Sequence, residues 1–300
     1  MSSASPFSST DQLAAAAGLA SLRPSARMPV LFLGHGSPMN AIENNEYRRS
    51  WQRLGERIER SFGKPQLILC ISAHWLTRSD WAITGMDRPR TIHDFGGFPE
   101  ELFAQQYPAP GAPAVADELA QRLNRPVQEQ PVIVDATEWG LDHGTWSVIQ
   151  PMFPRADIPV VQLSLVYERS PASHFALGQQ LRALREQGVL IVGSGNIVHN
   201  LRALQHTSSP QQTYDWAQAF DAHVAGLIQQ GDLQGLTRFQ ELGQVARLAH
   251  PTFDHYLPLL HAAGAVHAGE SPQFFNDDYQ MAAISMRSVI WGDSEPVVSE

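Results

Sequence analysis

Three histidines in this 300-residue chain stand at equivalent places. His35 follows the apolar run VLFLG, His74 follows LILCISA, and His199 follows VLIVGSGNIV. Each run is short, nearly continuous in Val, Leu and Ile, and closes on small residues, as a strand buried on both faces does. In open α/β sheets the ligand crevice lies beyond the carboxyl ends of the strands. Three imidazoles distant in sequence can therefore meet there around one ion. Imidazole suits both Zn(II) and Fe(II), and a neutral ring with an ordinary pKa near ~6.5 also serves as acid or base. His255, in HPTFDHYLPLL, is a fourth candidate, near the start of a helix whose buried stripe is Phe253, Tyr256, Leu257 and Leu260. His143, in WGLDHGTW, falls in a turn between apolar segments. Asp142 beside it has two readings, as the group that orients the His143 ring or as the N-cap of a following helix. A lone histidine is more often a hydrogen-bonded structural group than a ligand, so His174, His206, His223, His261 and His267 read as surface or satisfied core residues. His250 has only its nearness to His255 in its favour.

The elements that must carry these residues alternate along the chain. Strands are predicted over residues 30–34, 67–72, 132–134, 159–165 and 189–193, with a last one within 281–291. Helices are predicted over residues 47–59, 114–124, 172–187, 213–229 and 253–263. Alternation of this kind implies an α/β fold: one domain, a mostly parallel central sheet, helices on both faces. The Pro- and Gly-rich stretch 91–113 is too long for a simple connection, and long structured loops are often functional. It offers Phe95, Phe98 and Tyr107 to an aromatic ring, together with His93 and Asp94 as polar substrate contacts. Loop packing is the competing reading for His93. Residues 1–27 read as a weakly structured tail, 28–292 as the catalytic domain and 293–300 as a C-terminal tail.

Composition removes whole classes of function. The formal charge of −9 argues against a nucleic-acid partner, which calls for a basic face. A single cysteine, Cys70, makes neither an internal disulfide nor a thiolate zinc site, and inside an apolar strand it reads as a small core residue. No apolar run approaches the ~18–20 residues of a membrane helix. Arg23 and Arg27 follow the mildly apolar N-terminal stretch instead of preceding it, the wrong order for a secretory signal. The expected location is the cytoplasm. There is no GxSxG elbow, P-loop or HExxH. The GSG at 193–195 lacks the third glycine of a dinucleotide fingerprint, Val198 standing in its place.

A set of longer motifs resembles one family. GHGSPMN at 34–40, SAHW at 72–75, TIHDFGGFP at 91–99, YPAPG at 107–111, DHGTW at 142–146, SGNIVHNLR at 194–202 and HYLPLL at 255–260 are similar to the 4,5-DOPA extradiol dioxygenases. These belong to the class III extradiol ring-cleavage superfamily. The resemblance runs in order from about Met28 to Trp291. It implies a metal-dependent enzyme that opens a catechol ring beside its two hydroxyls with O2, binding one divalent ion per chain. Fe(II) is expected for the oxygen chemistry, and Zn(II) is known in relatives. It implies His35, His74 and His255 as metal ligands, the last where other class III enzymes carry glutamate. His199 corresponds to a histidine near the metal, either a fourth ligand or a base that takes over once catechol displaces it. His143 corresponds to a catalytic residue contacting substrate and oxygen. An all-histidine site leaves the full 2+ charge to attract a catecholate. The rivals are a zinc-dependent hydrolase or lyase on the same fold, for which no bridging carboxylate is evident, and a non-catalytic binding protein, which leaves His143 without a task. The oligomeric state is not legible.

Overall fold

The computed structural model describes residues 18–123, 131–205 and 213–292. Its strands are β1 (Val30–Gly34), β2 (Leu67–Thr77), β3 (Trp81–Thr84), β4 (Val132–Asp135), β5 (Val160–Val166), β6 (Val189–Gly195), β7 (Pro272–Phe275), β8 (Tyr279–Gln280), β9 (Ile284–Ser285) and β10 (Ser288–Trp291). Eight of them form one sheet in the order β4-β3-β5-β2-β6-β1-β10-β7, while β8 and β9 pair separately. The four central strands β5, β2, β6 and β1 are parallel to one another. β3 on one side and β10 on the other join antiparallel. The carboxyl ends of β1, β2 and β6 therefore open on the same edge.

Continuous apolar strands arise because successive side chains feed opposite faces. Val30, Phe32, Leu67, Leu69, Ile71, Val189 and Ile191 enter one core. Leu31, Leu33, Ile68, Cys70, Leu190 and Val192 enter the other. The second core is roofed by α1 (Glu46–Phe62), which buries Trp51, Leu54 and Ile58 at helical spacing. The Asn45 side chain caps its start and Gly63, at φ +84°, ends it. After the short α2 (Glu100–Phe103), α3 (Pro113–Leu123) covers the first core. Leu19 and Leu22 join that core ahead of Met28, with the Leu19 N–H donating to Glu118. α4 (His143–Met152) lies with α1 over the second core, and α5 (Pro171–Leu181), α6 (Asp215–Gln230), α7 (Gln244–Ala249) and α8 (Leu257–Gly264) pack on the first.

Several boundaries differ from the sequence reading. β2 continues five residues past the predicted end, so His74 lies inside a strand instead of beyond it. The pairing of β2 with β5 shifts register between Ile71 and Leu76, an irregularity that re-aims the side chains of that stretch. The helix predicted over 172–187 is α5 followed by a 3-10 segment, Arg182–Gln187. The one predicted from 253 starts at Leu257, with Pro258 in its first turn, where the missing N–H costs nothing. The stretch 281–291 is two strands, β9 and β10, parted at Met286 and Arg287, and Met281 and Ala282, both at positive φ, turn the chain from β8 into β9. β3 was not foreseen: four residues after a polar turn give too short a pattern. Asn124 and His206, which belonged to predicted features, lie outside the described residues.

Candidate metal centre

The carboxyl edge of the sheet gathers imidazoles. His35 leaves β1 with its N–H donating to Gly195 O at the end of β6, and His74 comes from the irregular part of β2. His255 arrives on the turn before α8. One ligand atom from each of His35, His74 and His255 lies within 4.8 Å of the others. The Nε2 atoms of His35 and His74 are 3.2 Å apart.

Groups at Nδ1 set which nitrogen each ring presents, by a hydrogen bond in His35 and His255 and by a nearby carboxylate in His74. Ser194 Oγ donates to Gly144 O at 2.5 Å, so at 3.0 Å it accepts from His35 Nδ1. His255 Nδ1 donates to Asp254 Oδ2 at 2.5 Å, and His74 Nδ1 lies 3.4 Å from Asp94 Oδ2. With Nδ1 protonated, each ring turns an Nε2 lone pair inward. Two lone pairs facing each other across 3.2 Å repel unless a cation lies between them, and two nitrogens bound at ~2.0–2.1 Å to one ion stand about that far apart. His255 Nε2 is buried without any hydrogen-bond partner. The donor set thus fits a divalent ion with an affinity for imidazole, supported as bound histidines usually are by an acceptor on the other nitrogen. Burial first, and then the neighbouring rings, hold His35 and His74 well below the ordinary histidine range, and the same order of causes applies to His255. All three are neutral, the form that binds metal.

A second constellation touches the first. His143 Nδ1 lies 3.0 Å from Asp94 Oδ2, off the line of a good hydrogen bond, and Asp94 Oδ1 accepts the His143 backbone N–H at 2.9 Å. His74 and His143 are 3.8 Å apart between ring centroids. His199 stands outside the group of three. Its ring lies flat on His255, 3.5 Å between centroids and 4° between planes, and burial, then His250, lowers its pKa to about 4.

Close backbone approach builds this edge. A Cβ on Gly144 would meet Ser72 Oγ at 2.4 Å and His74 Cδ2 at 2.8 Å, so only glycine lets the start of α4 reach β2. A Cβ on Gly195 would meet His255 O at 2.2 Å, and the Asn196 N–H donates to that same oxygen at 2.9 Å. The GSGN segment, read from sequence as a failed dinucleotide loop, is the cradle of His255. Gly195→Ala should therefore cost about 1–3 kcal/mol through overpacking and displace His255. Denaturant unfolding together with metal per chain measures both; unchanged values in both would contradict the cradle.

Residues 29–288 match the family described as the catalytic LigB subunit of aromatic ring-opening dioxygenase. The chain belongs to the LigB family. It is 47% identical over 269 residues to the 4,5-DOPA dioxygenase extradiol of Escherichia coli K12, covering 88% of this chain and 95% of that protein. The Beta vulgaris protein of the same name is 37% identical, over 80% of this chain and 87% of its own length. A crystal structure of an uncharacterized Escherichia coli K12 protein superposes with a TM-score of 0.74 at 40% identity, covering 89% of this chain and all of that one. As a LigB-family protein the chain is a metal-dependent extradiol ring-opening dioxygenase, an oxidoreductase acting on an aromatic substrate with O2. Among the described residues no helix is long and apolar enough to cross a membrane.

The remaining expected site residues divide. Phe95 faces His143 edge-on at 5.5 Å, backed by Phe98 at 5.4 Å and Phe103 at 5.0 Å. The His93 ring packs against Phe103 and Trp146, and its Nε2 donates to Gln105 O at 2.9 Å, which closes the loop on itself. Tyr107 is buried and its hydroxyl donates to Phe153 O, so it anchors the loop and offers no face to a ligand. Asp142 is the helix cap: its carboxylate accepts from Thr145 N, Ser72, Trp139 and Gln162, and burial, then Asp94, raises its pKa to about 6. The carboxylate beside the His143 ring is instead Asp94, 49 residues away in sequence. His174 and His261 form a buried pair at 3.0 Å, as core residues.

Proposed function

We propose that the substrate is a catechol carrying a DOPA-like side chain and that the ion is Fe(II), held by His35, His74 and His255. The observation that carries this reading is the convergence of three neutral imidazoles, each with an acceptor near Nδ1, beside a fourth histidine set against a carboxylate and an aromatic cluster. The names of the relatives favour DOPA as the catechol. Bound Fe(II) would supply open positions for the catechol oxygens and for O2, and redox chemistry that Zn(II) lacks. The protein's own part is positioning and proton transfer. With its proton on Nδ1, the nitrogen 3.0 Å from Asp94 Oδ2, His143 offers Nε2 to take a catechol hydroxyl proton and later return it. His199, neutral and pressed flat on His255, is a second acceptor. Phe95, Phe98 and Phe103 give an apolar wall that excludes water and stacks or edges against a ring.

Oxygen uptake with a panel of catechols, after anaerobic loading of the metal-free protein with Fe(II) or Zn(II), tests the reading. Uptake stoichiometric with catechol, in the Fe(II) protein alone and fastest with DOPA, is expected. Turnover without O2 in the Zn(II) protein would favour a hydrolase or lyase instead.

A further inference from the structure

Asp94 was expected from the sequence to meet substrate, but its oxygens face inward. Oδ1 accepts the backbone N–H of His143 at 2.9 Å. Oδ2 lies 3.0 Å from His143 Nδ1 and 3.4 Å from His74 Nδ1, so one oxygen faces two imidazoles. The side chain is mostly buried, at 18% exposure, although it sits on a surface loop. We propose that Asp94 is a positioning residue shared between the metal ligand His74 and the acid–base residue His143, fixing the proton of both rings on Nδ1. The inference rests on the functional reading above and adds to it a residue that contacts neither ion nor substrate.

The physical case has three steps. A neutral imidazole has two tautomers, and the one with its proton on Nε2 offers no inward lone pair, for metal or for a catechol proton. A carboxylate at Nδ1 selects the useful tautomer and raises the basicity of the opposite nitrogen. Because one oxygen does this for both rings, removing its charge must weaken metal binding and proton transfer together. The backbone N–H of His143 at Oδ1 and the two Nδ1 atoms facing Oδ2 surround the carboxylate with donors, the environment that suits its ionised form. The local chain makes the arrangement possible. Gly96 and Gly97 follow directly, with open space where a Cβ would stand and Gly97 at φ +79°, so the loop can turn away after delivering Asp94. The neighbouring Phe95 is directed onto His143 by the same turn.

Asp94→Asn keeps the shape and one acceptor oxygen, and removes the charge. Zn(II) affinity, read by chelator competition on the metal-free protein, should fall about 10–100-fold, the usual cost of losing a partner behind a ligand. Turnover at saturating Fe(II) should fall by a similar factor with KM for catechol unchanged, and Asp94→Glu should recover part of both. Ring ¹⁵N resonances should report His143 moving from one tautomer to a mixture. If instead KM rises while Zn(II) affinity holds, Asp94 is a substrate contact and the inference is wrong. If only thermal stability falls, with affinity and kcat intact, it is a loop anchor and the inference is likewise wrong. Failure of the functional reading looks different: His35→Ala would then bind Zn(II) as well as the unaltered protein.

Discussion

Alanine at His35, His74 or His255 is expected to strip the protein of metal while leaving it folded. The three side chains serve the edge of the sheet and belong to neither of the two apolar cores. Each supplies a nitrogen to one cluster, and in His255 that nitrogen has no other partner. Loss of a direct donor should exceed the ~10–100-fold that loss of a supporting group costs, so metal content should drop below stoichiometry and turnover below detection. The metal-free fold should lose no more than the ordinary cost of a point substitution, about 1 kcal/mol. Mutual repulsion of inward lone pairs is relieved at the same time. His255→Glu is the informative contrast. It replaces one donor by another that also binds divalent ions, so it should keep metal while offsetting one unit of its charge. Emission spectrometry gives the metal and circular dichroism the fold. Stoichiometric metal in all three alanine variants would refute the ligand assignment, and unfolding of all three would make these residues structural.

The parts of this arrangement legible in the sequence are those governed by local pattern. Five of the expected strands needed only short runs of β-branched and aliphatic residues, and the edge on which His35 stands followed from their parallel order. The stretch that carries His74 was harder. His74 emerges from an irregularity in the pairing of β2 with β5, and no periodicity in LILCISAHWLT marks where such a shift occurs. His143 was expected in a turn between apolar segments, whereas it opens α4, with Asp142 as the cap that was one of its two readings and Gly144 needed for contact with His74. Partners far apart in sequence were invisible altogether. Asp142 was weighed for the role beside the His143 ring because it is adjacent, but adjacent residues at a helix start point in different directions, and the long loop brings Asp94 there instead. Ser194, which fixes the His35 tautomer, lay in plain view at the end of β6. Its small-residue neighbours, which fall short of a dinucleotide fingerprint, serve the close approach of Pro258 and His255.

Separating metal retention from proton transfer gives the other large expected effect. His143 belongs to the cluster with Asp94 and His74, not to the three nitrogens grouped around the candidate ion. His143→Ala should therefore keep its Fe(II) while single-turnover cleavage of catechol falls by roughly 10²–10⁴-fold, the range for losing a general acid or base. His199→Ala is the contrast. Its ring reaches the site by lying flat on His255, a contact that steadies a ligand without supplying one, so Fe(II) affinity should change only a few-fold. A ring that only steadies His255 leaves the rate close to normal once metal is saturating. A base costs rate even then. A fourth ligand weakens Fe(II) binding about as strongly as alanine at His255 does. Fe(II) titration and rapid-mixing kinetics on both variants resolve these cases, and the expected pattern is retained metal in both with a slowed reaction in both, more severe for His143. Loss of metal in the His143 variant, with a catalytically normal His199 variant, would exchange the roles: the nitrogen now assigned to proton transfer would be a ligand, and Asp94 would then stand behind two ligands instead of one.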